Sequence, residues 1–74
     1  MRYELIREIF NNCSRNQMRD VFVSEVETDD PAGYVRNMLV GTEIQITELH
    51  PAGNDVIFDV VVDGLRQRFS FTED

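Results

Sequence analysis

Ile6, Ile9, Phe10 and Cys13 recur at i, i+3, i+4 and i+7, with Arg7, Glu8 and Asn11 off that stripe. The spacing predicts an amphipathic helix over residues 2–13. The run Asn11-Asn12-Cys13-Ser14-Arg15-Asn16 gathers weak helix formers whose side chains compete for backbone hydrogen bonds, so the helix is expected to end there. Val21-Phe22-Val23-Ser24-Glu25-Val26-Glu27 starts β-branched and aromatic and finishes in alternation, which reads as a strand. Phe22, Ser24 and Val26 share one face and Val21, Val23, Glu25 and Glu27 the other, and the pattern does not choose which is buried.

A second helix is expected within residues 28–41. Asp30 suits its N-cap, Pro31 its first position and Gly41 a left-handed C′ position, while Tyr34, Val35, Met38 and Leu39 form its apolar face.

From Thr42 onward the pattern becomes a three-stranded antiparallel meander. His50-Pro51-Ala52-Gly53-Asn54 has the chemistry of a three-residue hairpin loop. Pairing His50 with Asn54 sets Glu48 opposite Val56, Ile46 opposite Phe58 and Ile44 opposite Val60. Asp63-Gly64 is the preferred dipeptide of a type I′ turn, and sets Val62 opposite Leu65, Val60 opposite Gln67, Phe58 opposite Phe69 and Val56 opposite Phe71. Both registers gather the large apolar residues, from Ile44 and Ile46 to Phe69 and Phe71, on one face. The expected fold is α+β: one domain spanning 1–74 in the order α-β-α-β-β-β, its antiparallel sheet containing the meander and its helices packed on one face. The pattern leaves open which strand pairs with the first.

Length sharpens the picture. A chain of 74 residues buries only about 60% of the surface its unfolded form exposes, and domains this small usually gain from a disulfide, a metal or a partner. Cys13 is the only cysteine, so it forms no internal disulfide, and with the lone His50 it supplies too few soft ligands for an ordinary zinc site. A single cysteine points to a reducing, cytoplasmic setting. Charges at Arg2, Glu4, Arg7 and Glu8 interrupt any secretory apolar core, and no apolar run approaches the ~18 residues of a spanning helix, so no membrane contact is expected. Fourteen acidic residues stand against seven basic ones, all arginine, for a net charge of −7. That balance disfavours direct contact with nucleic acid phosphates and favours a basic patch on a protein.

Candidate chemistry is sparse. The four glycines form neither GxGxxG nor a P-loop, and no serine lies in a nucleophile elbow. Cys13 is the candidate for a reactive thiol, which requires an exposed sulfur of lowered pKa; its place on the apolar stripe predicts a buried, structural one instead. Glu25, Glu27 and Asp29 alternate along one strand at ~7 Å intervals, too wide to grip one ion unaided. No catalytic residue, cofactor site or metal site is therefore expected.

The polar face of the meander is the remaining candidate. It carries Gln45, Thr47 and Ser70, an Asp59–Arg68 pair, Arg66 opposite Val61, and the aliphatics Leu49, Ile57 and Val61. Leu49, Ile57, Val61, Arg66 and Arg68 are the expected interaction surface, for a protein partner or for self-association. The expected function is an acidic protein-binding or regulatory module. Alternatives are a structural subunit of a larger assembly, or a thiol-dependent enzyme or redox factor using Cys13.

Overall fold

The computed structural model describes the backbone of residues 1–13 and 16–74, and the side chains of residues 1–10 and 19–74. Its strands are β1 (Arg2–Cys13), β2 (Asn16–Glu27), β3 (Ile44–Leu49), β4 (Val56–Val62) and β5 (Leu65–Glu73). They form one antiparallel sheet in the order β2-β1-β5-β4-β3. The single described helix, α1 (Pro31–Met38), joins β2 to β3 and lies over one face of the sheet. The expected α+β order with two helices is thus corrected to a mostly antiparallel sheet carrying one short helix.

The difference lies at the N-terminus, where residues 2–13 are a strand rather than a helix. β1 occupies an interior slot, paired over its whole length with β2 and over Tyr3 to Phe10 with β5. Its buried residues, among those described, are Tyr3 and Leu5, both off the helical stripe and two positions apart. Ile6 and Phe10 turn to the opposite face from Ile9, splitting the stripe. Hydrogen bonding on both sides satisfies the backbone from Tyr3 to Phe10, and that tertiary pairing outweighs a short 3.6-residue periodicity. The helix that was to bury Cys13 does not form. Cys13 ends β1, and its side chain lies outside the described residues.

Asp30 caps α1 as expected, accepting from the Gly33 N–H at 3.1 Å, and Pro31 takes the first position. The helix stops at Met38, and Leu39 is already extended. Gly41 is therefore not a left-handed C′ residue. A Cβ there would overlap Val62 Cγ1 and come within 2.8 Å of Asp63 Oδ2, so its bareness lets the connection press against the end of β4.

Val35 of α1 is wholly buried in the core cluster that includes Phe58, Val60, Phe69 and Phe71 of the sheet. The rings of Tyr3, Tyr34 and Phe58 all meet Phe71 edge-on, with centroids 5.7, 6.0 and 5.8 Å away. Each such pair contributes about 0.5–1.5 kcal/mol beyond its buried area.

The type I′ turn at Asp63-Gly64 (φ 48° and 85°) and the β4–β5 register agree with expectation at all four pairs. The β3–β4 register does not: Glu48 faces Phe58, Ile46 faces Val60 and Ile44 faces Val62. The loop is longer than three residues because Asn54 and Asp55 are drawn to β5. Asn54 Nδ2 donates to Glu73 Oε2 at 2.8 Å, and Asp55 Oδ1 accepts from the Glu73 N–H at 2.9 Å. A slip of two residues leaves every side chain on its expected face.

Candidate protein-interaction surface

α1 covers one side of the sheet, and no described element covers the other. Composing the strand registers lays out this second face as rows running across all five strands. The central row is Val23, Ile6, Ser70, Ile57 and Leu49, aliphatic at every strand but one. Val23 is 65% exposed and Leu49 44%, while the interior members are half-buried by their neighbours.

The adjoining row carries charge in alternating sign. Arg68 Nε donates to Asp59 Oδ1 at 2.8 Å, with Glu8 directly across on β1. Glu8 in turn pairs with Arg19 Nη1 at 3.1 Å. The hydrogen bond to Asp59 raises the Arg68 pKa, opposed by partial burial and aided by the charges of Asp59 and Glu8. Farther along, the Arg66 guanidinium stacks 5.0 Å from the Phe10 ring centroid. On the other flank of the apolar row, Glu4 faces Glu25 and Arg2 faces Glu27, leaving that margin negative.

Arg2, Arg19, Arg66 and Arg68 stand on this face against Glu4, Glu8, Glu25, Glu27 and Asp59, a formal −1 out of the chain's −7. Most of the acidity therefore lies elsewhere. The structure brings together all the expected surface residues, Leu49, Ile57, Val61, Arg66 and Arg68, on one face. It adds Ile6, Phe10 and Val23, which sequence reasoning missed because β1 was read as a helix. The alternation of Tyr3 and Leu5 about Glu4, both of them buried in the fold, is the trace of a strand that the sequence carries there.

The covered side has its own polar device beyond the reach of α1. Arg7 Nε and Nη2 donate to Gln67 Oε1 at 3.2 and 2.9 Å, and the guanidinium lies 5.1 Å from the Phe69 ring centroid. Gln67 is the buried polar side chain among the described residues.

A pocket of about 230 Å³ lies beside the start of α1, lined by Tyr3, Asp30, Glu48, His50 and Asn54 among others. His50 Nε2 and Glu48 Oε2 pair there at 3.1 Å, both exposed. Among the described residues no three His, Cys, Asp or Glu side chains converge as metal ligands, and no helix is long and apolar enough to cross a membrane. No family model, curated protein or solved structure matches this chain.

Proposed function

We propose that the protein is a binding module that docks a protein partner on the uncovered face of its sheet. The observation that carries this reading is the row Val23, Ile6, Ser70, Ile57 and Leu49, aliphatic at four of its five positions, which crosses the full width of the sheet with no described element over it. Isolated surface aliphatics are ordinary, but four gathered in one row mark an interaction site. The flanks state the chemistry of the occupant. Arg19, Glu8, Arg68 and Asp59 neutralise one another on one side, whereas Glu4, Glu25 and Glu27 leave the other side negative. The matching partner presents an apolar stripe bordered by basic side chains.

The test compares immobilised wild-type protein with the Leu49→Glu/Ile57→Glu variant, both verified as folded by circular dichroism, in the same cell extract. A stoichiometric basic protein is expected on the wild type, at least tenfold depleted on the variant and weakened by salt. Purified, that protein should shift the methyl resonances of Ile6, Ile57 and Leu49. Equal retention by both forms, or no stoichiometric partner on either, overturns the reading.

A further inference from the structure

The sheet has two edges, and they differ. β3 is six residues long, whereas β2 is twelve residues long and carries Val21, Phe22 and Val23 in succession at 49%, 56% and 65% exposure. Edge strands are ordinarily blunted by shortness, charged side chains, proline or a bulge. Residues 21–24 of β2 carry neither charge nor proline, and the pairing of β2 with β1 is unbroken.

The hydrogen-bond phase of this edge can be read from its inner side. The Thr28 N–H donates to the Met1 carbonyl at 2.9 Å, which marks Met1 and Thr28 as a closely bonded pair. Bonded pairs in an antiparallel ladder recur every second residue, so Phe22 bonds inward to Arg7. The N–H and C=O groups of Arg19, Val21, Val23 and Glu25 consequently point away from the sheet.

We propose that the occupant of this edge is β2 of a second copy, antiparallel across a two-fold axis through Phe22. In that register Phe22 faces its own counterpart, Val21 faces Val23 of the second copy, and Arg19 faces Glu25 of the second copy. Outward-pointing groups meet only outward-pointing groups, as the ladder requires. An odd shift breaks that match, and a shift of two places Val21 opposite Glu25 or Asp20 opposite Phe22. Only the register centred on Phe22 joins apolar to apolar and arginine to carboxylate on both sides of the axis. Closed two-fold pairing also uses up the edge, so growth stops at a dimer.

The dimer is one ten-stranded sheet with both helices on the same side. Each copy carries a net charge of −7, so association is opposed by repulsion that salt screens. Self-association therefore strengthens with salt, the reverse of the response expected for a basic partner on the open face.

Sedimentation equilibrium from 5 to 500 μM, in 0.05 and 0.5 M NaCl, tests this. A monomer–dimer equilibrium is expected, limited to twice the 8.6 kDa of one chain, with the tighter constant in high salt. Val21→Pro and Val23→Pro remove only outward N–H groups and leave the ladder to β1 intact; each should weaken dimerisation at least tenfold with the circular dichroism unchanged. Arg19→Glu and Glu25→Arg should each weaken the dimer, and the double exchange should restore it. A monomer at every concentration, assembly beyond a dimer, or a dimer indifferent to all these substitutions overturns the proposal. Leu49→Glu/Ile57→Glu lies at the far side of the sheet and leaves the dimer unchanged, so the two readings fail separately.

Discussion

Arg7 covers a part of the core that α1 does not reach, and its replacement tests how much that cover contributes. Its guanidinium gives two hydrogen bonds, of 3.2 and 2.9 Å, to the oxygen of Gln67, which is only 6% exposed, and stacks 5.1 Å from the Phe69 ring centroid. Arg7→Leu strands that oxygen, at a cost of about 1–3 kcal/mol. It also loses the cation–ring attraction, about 0.5–2 kcal/mol, for a total of about 3 kcal/mol. Gln67→Leu costs about 1 kcal/mol, because the half-buried guanidinium keeps its ring contact and turns its donors to water. The double variant removes both polar partners and should cost about 2 kcal/mol rather than the sum of about 4, a coupling of about 2 kcal/mol. Urea unfolding followed by far-ultraviolet circular dichroism measures all four proteins. With a slope of about 1 kcal/mol/M, the coupling appears as a displacement of about 2 M in midpoint from additivity. Costs that add to within about 0.5 kcal/mol refute the argument.

Two further outcomes follow from the connections. The Asp63 carboxylate accepts from the Glu43 and Thr42 N–H groups, which hold its pKa below the ordinary value. Its contribution to stability is complete above the unfolded carboxylate pKa and disappears as pH falls through the lower folded value. Asp63→Asn, which keeps a residue type tolerant of the left-handed turn, should thus lower Tm at pH 7, and the two proteins should converge as the pH falls below the ordinary carboxylate range. Gly41→Ala pushes a methyl into Val62 Cγ1 and should destabilise by about 1–3 kcal/mol; an unchanged Tm would remove the close-packing explanation for this glycine.

The C-terminal half was legible because its turn chemistry and its alternation agree. Asp63-Gly64 set the β4–β5 register pair by pair, and even the two-residue slip between β3 and β4 spared the face of Leu49, Ile57 and Val61. That slip was not legible because its cause, the hold of Asn54 and Asp55 on Glu73, is a contact between distant segments. The N-terminal half failed for a related reason. An interior strand with apolar residues on both faces can coincide with a helical period, and Ile6, Ile9 and Phe10 do so while Tyr3 and Leu5 carry the true alternation. What makes β1 a strand is its neighbours, and neither neighbour can be read from its own spacing. The same misreading hid Ile6, Phe10 and Val23 from the expected surface, leaving only its meander half in view.

The slot of β1 between β2 and β5 also orders the events of folding. Two hairpins, β1–β2 and β4–β5, can zip up locally, but the seam between β1 and β5 joins residues 60 positions apart, as Arg7 and Gln67 are. Closing so long a loop costs entropy before the contacts it makes are gained, which slows the formation of this seam. Until then β1 is bare along the side that will meet β5, with Leu5 and Ile9 in water. During synthesis β1 emerges before β5, so its β5-facing edge stays unpaired until residues 66–73 have been made. The vulnerability of this fold to misassembly is concentrated in that interval.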